Sequence, residues 1–226
     1  KKAIESGVMT DRNGSAYLPP KANGDWGQDY NYTMFQITWG GAINMTQTFE
    51  KLVTNIGGAA FPEDIFNERN KDKTPLSKIH PAKVDLRATE MFDPAFDTGD
   101  WKGITYGLPT AEYTATLAKS CAEMGFLYKN GAPYKSRPSD VMLFEEVCFL
   151  KAEAMERGCI AGDAKTEYEK GVRASFTTWG LAAVVDDYLK SNEKNLAGTS
   201  ANYDDYQDPA GGTGNTRLEK IITQKY

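Results

Sequence analysis

A single histidine, His80, is the scarcest chemical group in these 226 residues. It sits in Lys78-Ile79-His80-Pro81, a polar stretch rich in turn signals. One imidazole cannot build a multi-histidine zinc site or an H-E-x-x-H helix, so those chemistries are excluded by number. Any Ser-His or Cys-His nucleophile would have to use His80, whose expected role is that of a solvated loop histidine. The three cysteines, Cys121, Cys148 and Cys159, form no C-x-x-C pair and no even-numbered framework. Cys148, beside Val147, Phe149 and Leu150, has the setting of a small buried hydrophobe.

Carboxylates are more plentiful. Glu145, Glu146, Glu153 and Glu156 lie on one predicted helix, with Glu146 and Glu153 on a shared face. A di-iron bundle also needs Glu-x-x-His, which this chain lacks, and a glycosidase needs two carboxyls across a cleft. Solvated or capping helix carboxylates are the expected reading. Gly211-Gly212-Thr213-Gly214-Asn215 lacks the preceding strand and Lys-Ser/Thr ending of a phosphate loop. Asp11-x-Asn13-x-Ser15 has its glycine misplaced for a calcium loop and no bidentate Glu in twelfth position. No metal or cofactor is predicted.

The aromatics outside the helices carry the positive case. A sugar ring has an apolar face and a hydroxyl rim, so an exposed aromatic flanked by planar polar side chains can hold it. Trp26 beside Asp25 and Gln28, Tyr30 beside Asn31, Trp101 beside Asp100, and Tyr106 have that company. These four are the candidate ligand-binding residues. Each could instead plug a loop onto the core.

The elements that must position these groups follow from composition and spacing. With 26 basic and 31 acidic residues the formal charge is −5, which argues against nucleic-acid binding, where a basic face must displace counterions. No apolar run approaches the roughly 20 residues of a membrane span. Residues 1–40 are expected to be loop-dominated and aromatic-rich. Met45, Phe49, Leu52, Val53 and Ile56 predict a helix over 44–56, ended by Gly57-Gly58, and residues 58–84 read as a surface excursion. Residues 85–109 read as loop. Tyr113, Leu117, Cys121 and Met124 predict a helix within 111–127, with an irregular segment as competitor.

The strongest pattern follows. Ser139 or Asp140 can cap a helix running to Arg157, with a stripe of Leu143, Val147, Leu150 and Ala154 widened by Phe144, Cys148 and Met155. Asp163 can cap a second helix carrying Tyr168, Val172, Phe176 and Trp179 up to Gly180. The short connection predicts an antiparallel pair, and Ala152, Ala154 and Gly171 would let it close tightly, as in tetratricopeptide helix pairs. Residues 181–189 continue helically, 191–216 form a polar loop, and a last helix starts near Asn215. Both ends look cut, as in part of a longer protein.

Several motifs resemble those of SusD/RagB-type outer-membrane nutrient-binding lipoproteins. Phe144-Glu145-Glu146-Val147-Cys148-Phe149-Leu150-Lys151-Ala152-Glu153-Ala154-Met155-Glu156-Arg157-Gly158 is similar to "y-a-E-v-x-F-l-x-A-E-A-x-x-r-G", and Tyr168 to Phe176 to "Y-x-x-G-i-x-a-S". Leu218 to Tyr226 resembles "l-x-x-I-i-x-Q-K-W/Y", Asp85-Leu86-Arg87 resembles D-P-R with Leu for Pro, and Trp101 to Gly107 resembles "y-x-G-x-x-x-G". The resemblance covers about residues 85–226, while 1–84 match weakly.

It implies a mainly α fold of tetratricopeptide-like helix pairs with extensive irregular loops. The whole chain would be one such unit, with a loop-rich ligand-binding part over 1–110 and a helical scaffold over 111–226. It also implies a non-catalytic, surface-exposed outer-membrane lipoprotein that passes oligosaccharides to a SusC-type TonB-dependent transporter. The lipid anchor would lie outside this chain. The alternatives are a peptide-binding RagB-like member, a tetratricopeptide-like protein-interaction adaptor, and an unrecognised hydrolase.

Overall fold

The computed structural model describes residues 7–18, 43–64, 68, 79–125, 138–208 and 214–225. Among them, in chain order, are the helices α1 Gln47–Val53, α2 Leu86–Met91, α3 Ala115–Lys119, α4 Phe144–Glu156, α5 Ala164–Thr178, α6 Val185–Lys190 and α7 Arg217–Lys225. The strands are β1 Ala16–Leu18, β2 Phe92–Asp93, β3 Glu123–Met124 and β4 Ser139–Met142; β1 pairs with β4, and β2 runs antiparallel to β3. The mainly α expectation holds. No helix among the described residues is long and apolar enough to cross a membrane.

The chain forms two compact units, one of residues 1–18, 56–58 and 140–226, the other of 19–55 and 59–139. Each carries both helices and irregular segments.

The first unit is built on α4 and α5. Glu145 meets Thr178, Phe149 meets Gly171 and Lys151 meets Glu167, so the two helices run antiparallel, as expected. Gly171 is required there: an added Cβ would lie 2.7 Å from the Phe149 ring. Phe149, Ala152, Tyr168, Val172 and Phe176 form the seam of a core completed by Ile56, Tyr188 and Ile221.

Two expectations about α4 are corrected. It begins at Phe144 rather than near Ser139, because 139–142 pair as a strand and the Ser15 hydroxyl takes the Phe144 amide at 3.0 Å. Its buried face is also rotated. Phe144, Val147, Cys148, Phe149 and Ala152 are buried, whereas Leu150 is 41% exposed. The partner surface on α5 selects the side of the helix that carries Val147, Cys148 and Phe149, and Leu150, one step farther round, faces outward.

Behind this pair, Lys220 is fully buried. Its ammonium donates to the Ser200 carbonyl at 3.0 Å, the Ser200 hydroxyl at 2.6 Å and Asn215 Oδ1 at 2.5 Å. Asn215 also takes the Ser200 amide at 2.9 Å and donates to the Asp205 carbonyl at 2.6 Å. The polar 191–208 stretch is thus tied to α7 through three side chains. Desolvation pushes the Lys220 pKa down to about 8, with Asp205 opposing it.

In the second unit Thr46 caps α1, accepting the Phe49 amide at 3.2 Å. Residues 85–109 are not all loop, and 111–127 are not one helix. Asp85 caps α2, whose end leads directly into β2, while α3 stops at Lys119 and Glu123–Met124 pair with β2. The cap explains the Asp-Leu-Arg motif. Asp85 Oδ1 takes the Arg87 amide at 3.0 Å and Nε at 3.1 Å, Oδ2 takes Nη2 at 2.6 Å, and both side chains are buried. Two charges withdrawn from water are tolerated because each is hydrogen-bonded by the other.

Removing one of them strands its partner. Arg87→Met is expected to cost about 3–5 kcal/mol in urea unfolding, and Asp85→Asn combined with Arg87→Met clearly less; a double variant as unstable as the sum of its parts would contradict this. For Lys220, the unfolded state holds one more proton between pH 8 and the ordinary lysine pKa of 10.5. Stability from this group therefore rises with pH in that window and is lost as pH falls through 8. From pH 7.5 to 9.5, wild type should gain about 2 kcal/mol relative to Lys220→Met.

Candidate functional site

The best-defined candidate surface is the Asp100–Gly107 segment of the second unit. Its middle is clamped from both sides by backbone hydrogen bonds. Ala122 N donates to Lys102 O at 2.8 Å, Ile104 N to Met45 O at 2.8 Å, and Gln47 N to Ile104 O at 2.9 Å. Glu50 Oε2 takes the Gly103 amide at 2.7 Å. Gly103 lies so close to Thr46 that an added Cβ would meet its carbonyl carbon and oxygen at 2.4 Å.

This clamp sends two rings in different directions. Trp101 is 2% exposed, packed with Met45, Val53, Phe61 and Val84 and edge-on to Phe61 at 5.4 Å between centroids. Its amide donates to Ile79 O at 2.8 Å. Tyr106, two residues beyond the last clamp bond, is 73% exposed at a turn completed by Gly107, whose φ of 73° suits glycine. Of the candidate ligand residues, the structure therefore presents Tyr106 to solvent and makes Trp101 an anchor of the segment. Trp26 and Tyr30 lie outside the described residues.

Two further rings are exposed on this unit. Tyr113 donates its hydroxyl to Asn44 Oδ1 at 3.3 Å, and Asn44 Nδ2 reaches Ala118 O at 2.7 Å, bracing the ring from a side chain that is itself held. Phe96 lies under the Lys119 ammonium, 5.6 Å from its centroid. Sequence reasoning did not single these out as ligand residues. Tyr113 fits a helical stripe as well as a loop, and Phe96 has a readable signal only in its setting, a Pro94-to-Gly99 turn where no core face requires a phenyl ring.

The other chemistry-bearing residues fall into structural roles. His80 is not the solvated loop residue expected: its ring stacks on Phe61 at 4.5 Å and its Nε2 lies 3.3 Å from Glu63 Oε1. Three α4 carboxylates, Glu145, Glu153 and Glu156, have partners among the described residues, and Glu146 is exposed. Glu145 takes the Thr178 hydroxyl at 3.0 Å, and Glu153 takes Lys225 at 2.8 Å and Arg157 at 2.9 Å, the Lys225 bond chiefly holding its carboxyl below the usual range. Burial pushes the Cys148 thiol up to about 11. Among the described residues no group of three or more His, Cys, Asp or Glu side chains is placed to hold a metal ion.

Residues 73–226 match a SusD-like family described as starch-binding and associating with the outer membrane. A solved SusD homologue from Parabacteroides distasonis is 59% identical, with a TM-score of 0.84, over 97% of this chain and 42% of its own. A homologue from Bacteroides vulgatus matches at 22% identity and a TM-score of 0.65, over 98% of this chain and 40% of its own. A chitin-binding homologue from Flavobacterium johnsoniae matches at 20% identity and a TM-score of 0.58, over 99% of this chain and 40% of its own. This chain thus spans about two fifths of the length of the solved relatives it matches. No curated protein matches it.

Trp101 and Tyr106 should respond oppositely to truncation. Trp101→Ala is expected to cost about 3–5 kcal/mol in chemical unfolding because it empties a packed site, and Tyr106→Ala less than about 0.5 kcal/mol. Equal losses would contradict the division into anchor and platform.

Proposed function

Because this chain belongs to the SusD-like family, we propose that it binds oligosaccharides at the cell surface for import and does not transform them. The observation that carries the reading is Tyr106, an exposed ring held just beyond a hydrogen-bonded clamp. An aromatic face presented from a rigid support loses little freedom when a pyranose stacks on it. Tyr113 and Phe96 offer further rings, while Asn44 and Lys102 supply polar groups on the same unit. Trp26 and Tyr30 belong to the same proposal, and Trp101 contributes by holding the segment.

Binding without turnover is supported by the state of the nucleophiles and bases. His80 is packed and lies beside Glu63, the buried thiols have pKa values raised by desolvation, and Glu145, Glu153 and Glu156 are engaged. Capture by one or a few rings is weak. It suffices where the ligand passes directly to a SusC-type TonB-dependent transporter, since a neighbouring acceptor raises the effective concentration. Placement on the outer membrane as a lipoprotein belongs to the same proposal and agrees with the family description.

Calorimetry with malto- and chito-oligosaccharides is expected to show saturable binding, weakened about five- to thirtyfold by Tyr106→Ala, the equivalent of about 1–2 kcal/mol. Unchanged affinity in that variant, or release of reducing sugar by the purified protein, would overturn the reading.

A further inference from the structure

A cavity of about 360 Å³ opens in the first unit between the end of α4, the start of α5, the Tyr203-Asp204 turn and the start of α7. Its size is that of a small-molecule site. Its polar lining comes from Glu156, Asp163, Lys165, Tyr203, Asp204 and Arg217. Most of these groups already have partners. Lys165 Nζ lies 2.5 Å from Asp204 Oδ2, Asp163 takes the Lys165 amide at 3.1 Å and the Thr166 hydroxyl at 2.5 Å, and Glu156 accepts the Tyr203 hydroxyl.

Arg217 is different. Its guanidinium carbon lies over the Tyr206 ring, 4.0 Å from the centroid, and over the Tyr203 ring at 5.4 Å, so two rings hold it in place. Its Nε is buried with no acceptor, and the guanidinium makes no hydrogen bond or ion pair among the described residues. A planar guanidinium at a cavity wall, without a hydrogen-bond or ion-pair partner among the described residues, is complementary to a carboxylate taken edge-on through its Nη donors. The remaining lining suits hydroxyls, which can donate to Asp163, Asp204 and Glu156 and accept from Lys165.

We infer that this cavity is a second binding site, for a sugar that carries a carboxylate, a uronic acid, with Arg217 gripping the carboxylate and the acidic lining its hydroxyls. The carboxylate rests on Arg217 alone, whereas the sugar part rests on the glycan reading proposed above.

The test is calorimetric titration of the purified protein with D-galacturonate, D-galactose and acetate. Galacturonate should bind saturably, galactose and acetate at least tenfold more weakly. Arg217→Gln should weaken galacturonate at least tenfold. Arg217→Lys, which keeps the charge but loses the fork, should fall between. If thermal unfolding shows Arg217→Gln to be misfolded, the lysine variant decides alone. The inference is overturned by absent galacturonate binding, by galactose or acetate binding equally well, or by unchanged affinity in a folded Arg217 variant. Failure of the neutral-oligosaccharide titration counts against the Tyr106 surface and leaves the carboxylate result standing, so the two failures are distinguishable.

Discussion

The close approach of Gly103 to the Thr46 backbone is the constraint on which the candidate surface depends. A side chain at position 103 would push the two backbones apart and lengthen the hydrogen bonds that the Ile104 amide gives to Met45 and the Ile104 carbonyl takes from Gln47. Those bonds, with that from Ala122 to Lys102, set where the segment sits. Its position then decides that Trp101 enters the core and Tyr106 leaves it. The exposure of one ring and the burial of the other are therefore one event, set by a residue with no side chain.

The first unit is organised by polar groups inside an apolar shell. Phe149 against Gly171 brings α4 and α5 together, but α7 is held by the Lys220, Asn215 and Ser200 cluster and by Lys225 bound to Glu153. Such contacts are directional, so they define one register of the loop against the helix where apolar packing alone would accept several. The cost is a desolvated ammonium, visible in its depressed pKa. Tyr203 shows the same economy of position: burial, then its bond to Glu156, raises its pKa, and its ring carries Arg217. A loop fixed this firmly can keep a guanidinium that has no ion-pair partner among the described residues at the edge of a cavity.

Both units use local capping chemistry to end elements that hydrophobic period alone would prolong. Thr46, Asp85, Thr114 and Asp163 each accept an amide of the helix they precede. Asp85 adds a buried ion pair with Arg87, two residues along the chain, so a three-residue motif both starts a helix and neutralises itself.

What could be read directly was whatever depends on neighbours along the chain. The α4 and α5 pair, the Asp163 cap, the small residue at Gly171 and the scarcity of histidine all follow from spacing and number, and with the quoted motifs they sufficed for the family. Folding decided whatever depends on a remote partner. Leu150 and Phe149 are equally apolar neighbours, and only the surface of α5 selects Phe149 for the interior. Ser139 looks like a cap until β1 claims its segment. Trp101 and Tyr106 both read as candidate platforms, and the backbone clamp, in which Met45 and Gln47 reach Ile104 from more than fifty residues away, separates them. Burial is a property of the whole surround of a side chain, and a linear pattern carries only the part of that surround that is adjacent in sequence.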